Sequence, residues 1–584
     1  MARRLDIFLL LAGVLVLGGC NMDFYRSDTM TSSQFKNDPS SAVFSTDGNY
    51  AMFKSPMEYR GKSDNGLTFI KMWNHMTEMR GDNAMLSGTT SSPIYNSACY
   101  DDTPELKHSY YFWWCCYKII YSANSIIEMV PEGEALNNQL LGENYFMRAF
   151  CHLCLSCLYS KQYPLGRDNP GVVLRTSTDC AVTERSTVGE VYDQIEADLL
   201  KAVELLKGTT RRGDAGYISY DAARALLTRV YLYMEKNQEC LDLCNEMLGA
   251  DPSANLDPDL DNYFIKARTS KETLWCIACT SLDAVGRSSL GSMYYSPNGT
   301  GGIGWGEVYW TDPLIELFRR YPEDKRFAAY FTTYGLLNDG KKMVHWPIDD
   351  GKNFFRSNAI VAGKDNGLTP KDAEGNVTFT YQGKTYTTVH KSKAGVNNGY
   401  PQYFINYNGA ETQVFVRDNV DFALGTRNTF PQNYMTKFSE YSKEHNPDGD
   451  PNLSSPVMLR WAEVILNRAE AEAKLGQDAA AIKDVNVLRK RAGIHQWADL
   501  AECQSHEYKT SLDVVLDERR MELCFEAQRP FDLIRNKRNI SHKFAGVQPW
   551  KEYPYDCDEF LFAIPADEIL VSGIPQNPGK GTNK

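Results

Sequence analysis

"LDERRMELCFEAQRPFDLIR", residues 516–535, crowds Asp517, Glu518, Glu522, Glu526 and Asp532 together with Arg519, Arg520, Arg529 and Arg535. Such density has two readings, a catalytic acid/base cluster or charged scaffolding. Placed on a helix over 513–529, Glu518, Glu522 and Glu526 recur every fourth position on one face, while Leu516, Arg520, Leu523 and Ala527 line another. Glu526, Arg529, Asp532 and Arg535 then alternate in sign at steps of three, a spacing at which helical side chains meet and neutralise one another. A glycoside hydrolase needs two carboxyl groups facing a sugar across a gap of about 5–10 Å, one of them with a raised pKa. Interleaved arginines push carboxyl pKa values the other way. The stretch therefore reads as scaffolding. Pro530 removes a helix hydrogen bond and predicts a break or restart near 529.

The same helical texture continues on both sides of a different middle. Val191, Ile195, Leu199, Ala202 and Leu206 recur at steps of three and four, as do Ala223, Leu227, Val230 and Met234. Leu459, Ala462, Leu466, Ala469 and Ala473 repeat the pattern and stop at Gly476. Paired amphipathic helices are expected over about 100–250 and about 456–540, with Trp113 and Trp114 in their core. Between them, 251–455 is rich in Gly, Asn, Asp, Pro and Tyr and reads as loops and short strands. One hairpin stands out in "NVTFTYQGKTYTTVH" (376–390), where Val377, Phe379 and Tyr381 alternate with threonines and Gly383 marks the turn.

With a net charge of -12 and no clustered Lys and Arg, the chain is not built to bind nucleic acid. Arg3 and Arg4, the apolar run "IFLLLAGVLVLGG" and then Cys20 form a secretory signal over 1–19. The ending Leu17-Gly18-Gly19-Cys20 resembles a bacterial lipobox, which implies cleavage before Cys20 and acylation of that residue. Fifteen cysteines in an exported chain would ordinarily suggest disulfides. Cys151, Cys154 and Cys157, and Cys240 and Cys244, instead fall at helical spacing and read as small apolar core residues. Cys276 and Cys279 make an isolated C-x-x-C with no second pair at zinc-site distance.

The opening stretch also resembles the closing motif of the SusD/RagB family. So, in order, do "CNMDF" (20–24), "GENYFMRAFCHLCLSCLYSKQYPL" (142–165), "TVGEVYDQIEADLLKAVELL" (187–206), "YDAARALLTRVYLYMEKNQECLDLCNEML" (220–248), "LRWAEVILNRAEAEAKLG" (459–476), "DVNVLRKRAG" (484–493) and "AIPADEILVSGIPQNPG" (563–579). The resemblance implies a single mostly α-helical, SusD-like domain over 20–584. Its tetratricopeptide-like helix pairs would form a right-handed framework that carries the irregular insertion. It also implies an outer-surface, lipid-anchored protein of the outer membrane that binds nutrients beside a TonB-dependent, SusC-like transporter and catalyses nothing itself.

Sugar rings lie flat on aromatic side chains, so rings in glycine-rich loops are the place to look for a ligand. In "YYSPNGTGGIGWGEVYWTD" (294–312) Trp305 is the first candidate, followed by Tyr294 and Tyr295, while Tyr309 and Trp310 read as core. By the resemblance this neighbourhood, just before "TDPLIELFRRYPEDKRF", borders the ligand surface. A second patch, "KMWNHMTEMRGDNAM" (71–85), offers Trp73, Asn74, Arg80, Asp82 and Asn83, and matches a family loop that can border the same site. No cofactor is expected; "NLDPDLDNYF" (255–264) has alternating acids but lacks the Gly and final Glu of an EF-hand loop, leaving bound calcium a remote option. The reading is capture of an oligosaccharide for uptake. Its alternatives are capture of a peptide, a glycoside hydrolase, or a helical adaptor, which would have no use for rings in a Gly-rich insertion. No G-x-S-x-G, H-E-x-x-H or phosphate loop supports an enzyme.

Overall fold

In the computed structural model, which describes residues 39–581 except 60–61, 65, 87–92, 182, 284, 296–303, 334–342, 350–356, 363–367, 392–401, 418–432, 441–448 and 451, the periodic segments are helices. The chain divides into two compact units, Met1–Ser45 and Thr46–Lys584. Of the first, only residues 39–45, the start of helix Pro39–Met52, are described. The signal segment and Cys20 lie outside the described residues.

The long framework helices are, in chain order, α1 (Lys107–Met129), α2 (Ala135–Tyr159), α3 (Val188–Leu206), α4 (Tyr220–Tyr233), α5 (Asn237–Leu248), α6 (Trp461–Lys474), α7 (Asp478–Ala492) and α8 (Ser511–Glu522). Local chemistry sets their ends. Thr187 and Glu190 form a capping box at the start of α3, and Thr510 and Asp513 do the same for α8, each satisfying two backbone N–H groups that have no helical acceptor. Gly476, at φ 75°, follows the last turn of α6, a conformation costly for residues with a Cβ. The apolar stripe of α3 (Val191, Ile195, Leu199, Ala202, Leu206) is wholly buried, as are Ala462, Leu466 and Ala469 of α6.

Each of these helices packs on the next, including α5 on α6, although about two hundred residues separate that pair. The framework is thus one run of helices with residues 249–460 looped out between its halves, and one hydrophobic core runs through both. Trp113 lies in that core, while Trp114 is half-buried at its edge, against Tyr59 and beneath the Lys118 ammonium. Cys151, Cys154, Cys157, Cys240 and Cys244 are buried, and the described cysteines are all free thiols. Cys240 and Cys244 keep their sulfurs 4.0 Å apart, twice the length of a disulfide of about 2 Å.

The helix expected over 513–529 is shorter: α8 ends at Glu522, and a new helix, Arg529–Arg535, begins with Pro530 in its first turn. Phe525 (φ 65°) and Ala527 (φ 59°) turn the chain between them, so Glu526 leaves the face that Glu518 and Glu522 share.

Part of the middle zone is more regular than its composition suggests. Strands β1 (Met343–Ile348), β2 (Ser357–Ala362), β3 (Thr369–Pro370), β4 (Val377–Tyr381), β5 (Lys384–Thr387), β6 (Val389–Lys391), β7 (Gln402–Tyr407) and β8 (Ala410–Arg417) form two sheets, in the orders β6-β7-β8-β1-β2 and β5-β4-β3. The hairpin foreseen over 376–390 is β4 and β5, turned by Gln382 and Gly383, both at positive φ. Val377 and Phe379 point inward with Val344, Trp346, Val361, Ile405 and Val414. This β-module therefore has a hydrophobic core of its own.

Candidate functional site

The charged stretch is buried framework. Glu522 accepts from Arg460 (Nη1, 2.6 Å), Arg326 (Nη1, 3.0 Å) and Arg491. Glu526 is paired with Arg460 (2.9 Å) and Lys437 (2.8 Å), and Glu518 with Arg326 (2.6 Å) and Arg489 (3.3 Å). Arg519 and Arg535 share Asp532 and Glu470. Burial pushes the Glu522 carboxyl upward, but Arg491, Arg460 and Arg326 outweigh it and hold the group well below the usual carboxylate range. Glu526 is likewise held down against its burial by Arg460 and Lys437. Acids kept ionised in this way cannot donate a proton at neutral pH.

Trp305 sits where a ligand can reach it. Its side chain is 45% exposed, in a loop whose backbone is tied down. The N–H groups of Trp305 and Gly306 both donate to the Ser292 carbonyl (2.7 and 2.8 Å), and Glu307 N–H donates to Met293 O (2.9 Å). A Cβ on Gly304 would lie 2.2 Å from the Tyr295 carbonyl oxygen, so only glycine allows this approach. The Arg287 guanidinium lies 5.2 Å from the indole centroid. The result is a ring presented at the surface on a fixed backbone.

The remaining sequence candidates are not at the surface. Tyr294 is fully buried: its hydroxyl donates to Asn74 Oδ1 (2.5 Å), and its ring packs on Phe438 and Phe525. Tyr295 is buried against Tyr434. Trp73 is stacked between Phe112 and Phe531. Asn74, also buried, accepts from Tyr294 and donates to Phe525 O (2.9 Å), which links the opening stretch to the short helix Gly291–Tyr294 beneath Trp305. Arg80 is fully buried between Tyr100 and Phe562, paired with Asp102 and donating to Glu559 O and Phe560 O. Asp82 is bound by Arg529 (2.8 and 3.0 Å) and by Arg520 (3.3 Å). These six residues support the platform and the framework instead of contacting a ligand. Their partners lie from about twenty to more than four hundred positions away, so no local pattern could reveal it. Tyr309 and Trp310 are core, as expected.

Among the described residues no group of three or more His, Cys, Asp and Glu side chains is arranged to hold a metal ion. In the acidic run, Asp257 accepts from Ser270 (2.7 Å) and Asp259 caps the short helix Leu260–Tyr263. One feature escaped the sequence reading altogether, a cleft of ≈310 Å³ between the β-module and the framework. Its walls include Glu316, Gln402, Gln413, Phe415, Asp517 and Phe544.

A helical-repeat framework, an inserted β-module and a surface aromatic on a glycine-bedded loop define a binding scaffold. The SusD family model matches residues 271–560, and a second model, described as starch-binding associating with outer membrane, matches residues 63–232. The chain belongs to the SusD/RagB family. Two SusD-like proteins of Formosa agariphila are each 23% identical to it, one over 72% of this chain and 69% of the relative, the other over 80% of both. Among solved structures, a SusD superfamily protein from Bacteroides thetaiotaomicron aligns with a TM-score of 0.64 at 19% identity, covering 92% of this chain and 99% of that one. A laminarin-binding SusD-like protein aligns with a TM-score of 0.58 at 18% identity, covering 93% and 99%. These likenesses establish the fold.

Proposed function

We propose that this protein is a non-catalytic, lipid-anchored protein of the outer membrane that faces the cell exterior, captures an oligosaccharide and passes it to a TonB-dependent transporter. The observation that carries the reading is Trp305, a half-exposed indole beside Gly304 on a backbone hydrogen-bonded to Ser292, in a chain whose family model is described as starch-binding. A flat apolar ring matches the C–H face of a pyranose, and a hydrogen-bonded backbone lowers the entropy cost of stacking. The acid cluster favours no competing enzyme, because Glu518, Glu522 and Glu526 are each paired with arginine. No helix among the described residues is long and apolar enough to cross a membrane, and acylation at Cys20 would provide the attachment.

Trp305→Ala is expected to weaken oligosaccharide binding by about 1–3 kcal/mol with an unchanged melting curve, read by isothermal titration against a glycan panel. A variant that binds every glycan as tightly as the parent would remove the platform. Binding of oligopeptides alone, in the same panel, would replace the sugar by a peptide. For the anchor, labelled fatty acid should enter the wild type and not Cys20→Ala, and proteolysis of intact cells should digest the protein. Protection from that protease would place it on an inner face.

A further inference from the structure

The junction cleft has a chemistry that the framework does not use. On β8, Gln413, Phe415 and Arg417 alternate with the core residues Val414 and Val416, so they point away from the module's interior. Register extends that outer face: Phe404 of β7 lies opposite Gln413, and His345 of β1 opposite Phe415, so Gln402 and Pro347, two positions along, share it. Arg417 donates to Asp312 (2.5 Å) at the start of the helix Asp312–Arg319, which holds this face against the framework. The floor opposite comes from Glu316 and Leu317 of that helix, Asp517 of α8 and Phe544.

Several polar side chains meet there without being satisfied. The amides of Gln402 and Gln413 and the carboxylate of Asp517, all half-buried, make no hydrogen bond or ion pair with any described residue. Glu316, also half-buried, has Arg319 at 4.0 Å and lies in the field of Arg417 and Arg320. Half-buried polar groups that converge on a cleft without partners mark a place where something else supplies the hydrogen bonds. Cations share the wall: Arg520 donates to Asn83 (2.8 Å) and Asp82 O (3.0 Å) and lies in the field of Asp517, Lys543 donates to Glu552 (3.3 Å), and Arg320 acts on Glu316. The carboxyl groups of the wall are therefore offset by cations, and two amides, which donate and accept, face the cleft beside a phenylalanine ring. That set suits hydroxyl groups on an apolar ring face. The volume, ≈310 Å³, lies at the lower end of ligand pockets, about 300–1,000 Å³.

We propose that this cleft is a second, recessed saccharide site that takes one or two neutral hexose units. It rests on the sugar-capture reading but not on the Trp305 platform, which lends it no side chain. The test uses the full mature protein and its Trp305→Ala variant, with maltose, laminaribiose, cellobiose and mannobiose as probes. Saturation-transfer NMR and titration read the binding. At least one neutral disaccharide should bind Trp305→Ala and wild type alike, and Gln402→Ala combined with Gln413→Ala should weaken it by tenfold or more. Because neither side chain has a partner to lose, the double variant should melt as the parent does; early melting moves the test to Gln402→Ala alone, with the same required loss. The proposal falls if no neutral disaccharide binds Trp305→Ala or if binding survives the cleft variants. Loss of longer glycans on Trp305→Ala with intact cleft variants would leave surface capture standing and sink the cleft alone.

Discussion

Replacing Glu522 by alanine is expected to cost the protein about 3–5 kcal/mol of stability, the penalty for leaving buried charge unpaired. The loss is large because one carboxylate serves three guanidinium groups. Arg326, Arg460 and Arg491 are all buried or nearly so, and each spends a hydrogen bond on Glu522. Arg489 and Lys437 belong to the same cluster, so five cations would face the four carboxylates that remain, Glu526, Glu272, Glu518 and Asp324. Urea unfolding at pH 7 gives the measurement, and Glu522→Gln, which keeps the shape, should fall between the parent and Glu522→Ala. The pH dependence has a definite sign. A carboxylate whose folded pKa is depressed contributes stability that is present above its unfolded value of about 4.5 and is lost as pH falls toward the folded one. The gap between parent and variant should therefore shrink below about pH 4.5. Oligosaccharide affinity of the folded fraction should not change; stability equal to the parent's would show that Glu522 is not framework.

Glu78→Gln is expected to do the opposite and stabilise. Glu78 lies fully buried at the end of the helix Phe69–Glu78, accepting the Ala527 N–H (2.6 Å), and burial pushes its carboxyl up to about 8. The folded chain thus holds a proton there that the unfolded chain has released, a penalty that grows as pH rises from about 4.5 and levels off above about 8. Glutamine keeps the acceptor oxygen and has no proton to retain. The gain should be near zero at pH 4.5 and reach about 2–4 kcal/mol at pH 8, with each pKa unit equivalent to about 1.4 kcal/mol. A gain that did not vary with pH would refute the buried acid.

The sequence by itself determined the helical framework and its stop at Gly476. The stripe from Val191 to Leu206, the glycine after α6 and the alternation in 377–381 are local signals, and local geometry obeys them. It also determined that the charged stretch is scaffolding, because like and unlike charges at helical spacing already state whether they cancel. What it left open was which faces another element would cover. Tyr294 and Trp305 belong to one glycine-rich run and look alike in it, yet Tyr294 meets Asn74, 220 positions away, and is buried, while Trp305 is not. Arg80 and Asp82 resemble loop charges until Asp102 and Arg529 arrive from elsewhere in the chain. The cleft has no trace in any window, since Gln402, Gln413 and Asp517 become neighbours only when the β-module closes against α8. Periodicity reports the direction in which a side chain leaves its own backbone. Tertiary packing decides what it finds there, because that depends on contacts between segments that share no local pattern.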